Sequence, residues 1–284
     1  MRPLAQAAEK RKRLVIVADD FGKNHAINKA IVHLARKGSI TGIAMMSNGD
    51  WFDEGVDELY ESQSKVDVCA HLNVTDAVPM LSSQGKTSGI PLERFLVQMI
   101  FDQIDYSWVR DEFFLQIERF HSKQIKVHQL NTHHHVHLQP AILDILIEIA
   151  NTYNVPYIRA PFEPFQSFRD LGSPRNCLKR LGRGNAQEFF EKLRKSNRRT
   201  ASQFLGLYAR PFLCRMHLDQ LITRVRPGLA ELICHPTYEA ESADFATLDK
   251  ISEQEPARAG ISLTTFAHEG KVENEKAYAL CPDC

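Results

Sequence analysis

Neither charge is in excess in this chain, whose 284 residues carry 35 Lys plus Arg against 35 Asp plus Glu. A protein that neutralises many phosphates ordinarily shows a basic surplus or stripe, so no nucleic-acid partner is expected. The basic run Lys10 to Arg13 reads as a solubilising lead-in to a strand. A second, from Lys179 to Arg199, reads as the polar face of a helical insert. Long apolar runs are missing too. No segment approaches the roughly 20 residues of a spanning helix, and the N-terminus has no apolar signal-peptide centre. A cytoplasmic protein that does not span a membrane is expected. Among six cysteines, only Cys281 and Cys284 have the spacing of a redox or metal hairpin. No second pair accompanies them, so free thiols are expected. A glycine-rich phosphate loop, a dinucleotide fingerprint and a serine elbow are also lacking, since Gly38, Gly42 and Gly49 are too dispersed to form one.

What remains is ordinary globular composition, with 43% apolar and 25% charged residues. The length suits one domain over residues 1–284, loosely ordered near 1–12 and 272–284, needing no disulfide to fold. Leu14 to Ala18 is a continuous apolar run ended by Asp19-Asp20, the pattern of a strand buried on both faces. Helical spacing follows from His25, and Gly38 is a stop signal. Further strands are expected at 39–46, 66–72, 125–130, 155–159, 204–208, 229–234 and 261–264. Helices are expected near 52–60, across 93–122, after Pro140, at 189–195 and at 218–225. Residues 76–92 form a long aperiodic excursion, and 161–174 are irregular. This alternation predicts a parallel α/β fold with its site at the C-terminal edge of the strands.

Two adjacent carboxylates at the end of a buried strand are costly unless paired, metal-bound or solvated. Successive strand residues point to opposite sides, so one of Asp19 and Asp20 could bind a metal while a slight turn brings the other to an attacking water. The run His133-His134-His135-Val136-His137 follows a buried strand, and imidazole suits zinc and other first-row metals. If extended, it places His133, His135 and His137 on one side. His71, His235 and Arg159 each close a different strand on the same edge. As isolated residues they are equally consistent with satisfied strand-end histidines and an exposed ion pair. Arg159 could also orient a carboxylate or a sugar hydroxyl, and Arg159, His135 and Asn48 are candidate substrate contacts.

Four motifs in order carry a resemblance to the YdjC-like carbohydrate deacetylases: Val17-Ala18-Asp19-Asp20-Phe21-Gly22 with Asn28, Ala70-His71-Leu72-Asn73-Val74-Thr75, Asn131 to Pro140, and Cys234-His235-Pro236. Together they span residues 14 to about 236. The stretch Ile158 to Pro164 is also similar to a hopanoid-biosynthesis-associated branch. The resemblance implies an irregular (β/α) barrel of the glycoside hydrolase/deacetylase type with one divalent metal ion, zinc or magnesium. Its ligands would be Asp20, His71 and His133, with Asp19 as general base and His235 as general acid. The implied substrate is an N-acetylated carbohydrate or glycolipid, and a homodimer is compatible with it. Asn131 departs from the Asp common in the family and Gln139 from the commoner Phe or His. The 76–92 excursion and the 162–200 insert are where the family pattern is not followed, and they are expected to hold substrate specificity. Two alternatives stand beside this reading: a metal-dependent phosphoesterase, which a second metal bridged by Asp19 and His135 would favour, and a metal- or sugar-binding protein without turnover.

Overall fold

The computed structural model describes residues 11–81, 89–163, 185–207, 215–239, 242–251 and 254–269. Strands β1 (Lys12–Phe21), β2 (Gly42–Met45), β3 (Asp67–Leu72) and β4 (Val127–Thr132) precede β5 (Tyr157–Ile158), β6 (Gln203–Leu205), β7 (Gly228–Cys234) and β8 (Ile261–Leu263). Between them run α1 (His25–Lys37), α2 (Phe52–Ser62), α3 (Leu92–Ile100), α4 (Tyr106–Ser122), α5 (Pro140–Thr152), α6 (Ala186–Lys195) and α7 (Arg215–Thr223). Three short helices, α8 (Ala243–Leu248), α9 (Gln254–Arg258) and α10 (Phe266–Glu269), lie beyond β7. None of the described helices is long and apolar enough to cross a membrane.

The strands are parallel, in the order β5-β4-β3-β2-β1-β7-β6. β8 pairs with the first residues of β1 on the edge that β2 takes over further along. Four strand spacings separate β4 from β7, about 19 Å in a flat sheet. Yet Gln129 of β4 donates to Glu231 of β7 at 2.8 Å. Only a sheet curled into a barrel allows that contact, and the expected irregular (β/α) barrel is what forms.

Period-two alternation sorts the side chains. Leu14, Ile16 and Ala18 of β1, Ala70 and Leu72 of β3, and Ala230, Leu232 and Cys234 of β7 join the main apolar cluster shared with the helices. Val15, Val17, Ala44, Cys69, Tyr157 and Leu229 form a separate cluster, the lower barrel interior. Continuing the inward parity upward from these residues gives Asp19, His71, Arg159, Glu231 and His235. Gln129 and Asn131 take the matching places on β4.

Several boundaries differ from expectation for local reasons. The helix expected over 93–122 is two, because Asp105 accepts from the backbone N–H groups of Ser107 and Trp108 and starts α4 afresh. Gly38 does end α1, with φ 75° and its N–H on Ala35 and Leu34 carbonyls. Lys12 already belongs to β1. The remainder of the loose ends expected near 1–12 and 272–284 lies outside the described residues, apart from residue 11. So do Cys281, Cys284 and most of the 161–174 irregular stretch.

Candidate active site

Strand alternation would send Asp20 outward, alongside Ala18. Instead Asp20 takes φ 71°, and the β1–β2 register slips between Ala18 and Phe21. A left-handed conformation at a non-glycine residue costs free energy and persists only where its surroundings over-determine it. Here Asn28 supplies the clamp: its Oδ1 accepts from Gly22 N at 2.7 Å and its Nδ2 donates to the Trp51 carbonyl at 2.8 Å. Gly22 itself has φ 94°, and a Cβ there would sit 2.7 Å from the Met46 carbonyl oxygen. The turn therefore requires glycine, and it brings both carboxylates to the barrel mouth.

Asp20 Oδ1 lies 3.3 Å from His71 Nε2 and 3.1 Å from His133 Nδ1, and the two ring nitrogens are 3.2 Å apart. Three ligands of a tetrahedral ion with bonds of about 2.1 Å would be about 3.4 Å apart, so this triangle fits a first-row divalent ion. The donor set, one carboxylate and two imidazoles, also fits. Asp20 Oδ1 is buried without a well-aligned hydrogen bond of its own. Burial favours a neutral Asp20, but the charge of His133 and the contacts of both rings hold its carboxyl well below the usual range. Burial likewise opposes a charge on His133, and Asp20 more than reverses it, raising the imidazole's pKa.

Asp19 lies beside this triangle. Arg159 grips it with both terminal nitrogens, at 2.7 and 2.9 Å, while Arg159 Nε donates to Glu231 at 2.7 Å. Burial pushes the Asp19 pKa up and Arg159 overrides it, leaving a carboxylate ionised below its ordinary range. His235 Nε2 is 3.8 Å from Asp19 Oδ2, and the His235 backbone N–H is anchored on Asp244 at 2.7 Å.

Three expectations need correcting. The histidine run is not extended: His133–Leu138 is a 3-10 turn in which His134 and His135 have φ 56° and 58°. Its rings therefore diverge. His134 meets Asp76 at 2.6 Å, and His135 faces Phe204 edge-on. His137 is fully buried between Thr132 Oγ1 and the Arg159 carbonyl, where burial pushes its pKa down to about 3. Arg159 is not at the surface to touch substrate; it is 0% exposed, and its guanidinium binds two carboxylates beneath the site. Asn48, the third candidate substrate contact, is buried and donates to the Asn73 carbonyl at 3.1 Å, tying two strand-end loops together.

Two acidic residues escaped the sequence reading. Asp76 reaches both His134 and, at 3.5 Å, His133 Nε2. Nothing in its loop sequence marks it. Glu231 could have been found, because a carboxylate at an inward position of the apolar strand Leu229 to Cys234 demands a buried partner.

The YdjC-like protein family profile matches residues 13–277, and a carbohydrate deacetylase of Clostridium beijerinckii is 33% identical over 229 residues, 80% of this chain and 82% of that protein. The chain belongs to the YdjC-like family. A carbohydrate deacetylase of Thermoanaerobacter pseudethanolicus is 23% identical, with 80% of this YdjC-like chain and 82% of the relative aligned. Among solved structures, an Enterococcus faecalis protein described as a candidate for cellobiose-phosphate cleavage superposes with a TM-score of 0.71. It shares 18% identity, and the match covers 91% of this chain and 99% of that one. That likeness bears on the fold.

Proposed function

We propose that this YdjC-like protein is a metal-dependent hydrolase that removes the acetyl group from an N-acetylated amino sugar unit of an oligosaccharide or glycolipid. The observation that carries the reading is the side-by-side placement of an ionised, arginine-held carboxylate and an Asp-His-His triangle of metal-binding dimensions. The deacetylases among its relatives support the substrate class. Asp20, His71 and His133 would hold one divalent ion, zinc or magnesium. Such an ion polarises a carbonyl and lowers the pKa of bound water.

Asp19, fixed by two hydrogen bonds from Arg159, is oriented to take a proton from the attacking water. The same guanidinium makes Asp19 a reluctant long-term holder of that proton. His235, 3.8 Å away, is the neighbouring group suited to receive it and pass it to the departing amine. The pair lies side by side, too close for a carbonyl to fit between the two groups as they stand. Products are acetate and a free amino sugar.

A two-metal phosphoesterase is less well supported, since among the described residues neither Asp19 nor His135 belongs to a group of side chains spaced to hold an ion and His135 is directed at Phe204. A binding protein without turnover has no use for a held carboxylate beside an imidazole. The test is acetate release across a panel of N-acetylated sugars by the metal-loaded protein, with Asp19→Asn and His235→Gln at matched metal occupancy. Each substitution should cost about 10²–10⁴-fold. Equal rates in Asp19→Asn would sink the mechanism, and no release from any substrate would sink the activity.

A further inference from the structure

The barrel interior contains a buried chain of hydrogen bonds that joins the metal triangle to the base by a route away from the substrate. It starts at His71, whose Nδ1 meets Asn131 Oδ1. Asn131 Nδ2 donates to Gln129 Oε1 at 3.0 Å, and Gln129 Nε2 donates to Glu231 Oε2 at 2.8 Å. Arg159 then occupies Glu231 Oε1 and both oxygens of Asp19. Gln129, Asn131, Arg159 and Glu231 are all 0% exposed.

We propose that Glu231 is a positioning residue for the metal site. As the acceptor end of a one-way relay, it fixes the His71 ring with its proton on Nδ1 and the Nε2 lone pair facing Asp20 and His133. The direction of the relay follows from donor and acceptor inventory. Burial raises the Glu231 pKa and Arg159 only partly offsets it, but with Oε1 accepting from Arg159 and Oε2 from Gln129 the ionised carboxylate has no proton to donate. Gln129 must therefore turn its NH₂ toward Glu231 and its oxygen toward Asn131. Asn131 must then present NH₂ to Gln129 and oxygen to His71. An oxygen beside Nδ1 requires a proton on Nδ1, since the reversed tautomer would set two lone pairs together in a dry interior. Each amide copies the polarity of the one before, and a charge three residues away selects a tautomer.

The arrangement has a second consequence. Glu231 keeps the acceptor end of the relay at a distance from His71, where it shares the Arg159 guanidinium with Asp19. Base and ligand are thus aligned from one buried cation. Outer partners that orient a ligating histidine typically change metal affinity by about 10- to 100-fold when removed.

This inference rests on the reading of His71 as a ligand, yet it does not depend on deacetylation. Long-range proton–nitrogen NMR of the metal-free wild type, with imidazoles labelled and His71 assigned by its loss in His71→Gln, reads the tautomer directly. The expected result, at a pH where the ring is neutral, is the Nδ1–H form. An Nε2–H form would overturn the proposal outright, with no mutant required to fold. Glu231→Gln and Gln129→Met should mix the tautomers and weaken zinc about 10- to 100-fold in a chelator competition. They should lower kcat more than KM. A merely structural role would reduce stability while leaving tautomer and zinc affinity at wild-type values, and that outcome would also overturn it. Absence of acetate release alters neither the NMR nor the zinc readout, so failure of the activity and failure of the relay are distinguishable.

Discussion

Replacing Arg159 with methionine removes the guanidinium that holds two buried carboxylates. Arg159 is 0% exposed, Asp19 1% and Glu231 0%, so neither acid can turn to bulk water when the guanidinium is lost. Removing one partner of a buried ion pair typically costs about 3–5 kcal/mol. With an unfolding entropy of roughly 2.1 cal/mol/K per residue, 284 residues correspond to about 0.6 kcal/mol/K. The loss therefore translates into roughly 5–8 °C of Tm. Its pH dependence is the sharper signature. In the wild type, Arg159 holds Asp19 below its ordinary pKa, so Asp19 contributes stability above the unfolded carboxylate value that is lost as pH falls through the folded one. Burial already raises the Glu231 pKa in the wild type, with Arg159 holding it back; in the variant it rises further and the Asp19 value joins it above the unfolded one. The folded state then binds more protons than the unfolded state, and stability is lost as pH climbs through the raised values. The gap between wild type and Arg159→Met should be small near pH 4 and widen toward pH 7.5, measured by urea or thermal melts in chelator. Adding Glu231→Gln should recover part of the loss at pH 7.5, because one stranded charge is gone. A gap that is the same at both pH values, or below about 1 kcal/mol, would show that the carboxylates find other compensation and would refute the reasoning.

His133→Ala should abolish stoichiometric retention of zinc after dialysis, measured by elemental analysis; unchanged content would exclude His133 as a ligand. His137, whose pKa burial lowers from 6.5 to about 3, is neutral when folded and protonates readily when unfolded. Its contribution is present above about 6.5 and is lost toward about 3, so stability should fall by up to about 1.4 kcal/mol per pH unit through that window. His137→Gln should lack that slope in urea melts between pH 6 and 4, and matching slopes would remove His137 as its source. Gly22→Ala should destabilise by more than about 1 kcal/mol, because its φ of 94° and the 2.7 Å approach of the Met46 carbonyl both resist a Cβ. A melt indistinguishable from wild type would show that the Asp20 turn relaxes easily.

Much of the molecule was legible in its residues. Apolar runs ending in polar residues announced the parallel strands, and Gly38 and Pro140 set helix ends where local backbone chemistry leaves little choice. Ordered motifs carried the family resemblance and its candidate ligands, because residue types needed at strand ends sit in short, separately recognisable stretches. Helix breaks were less visible: Asp105 splits a continuous helical pattern through one cap, a local preference that periodicity averages over.

Tertiary structure decided which strand-end groups meet and what each does. Alternation in β1 sends Asp20 the wrong way until the Asn28 clamp and the Gly22 turn reverse it. An extended reading groups His133, His135 and His137, whereas the left-handed turn at His134 and His135 sends them to different partners. Arg159 reads in sequence as a strand-end arginine, either in an exposed ion pair or orienting a carboxylate or sugar hydroxyl, and only curling of the sheet places it between acids 140 and 72 residues away. Linear sequence records side-chain type and local spacing, since these determine strand, turn and cap through near neighbours. Contacts between β4, β5 and β7 across the barrel depend on the curl of the whole sheet, to which every strand contributes and which no single motif encodes.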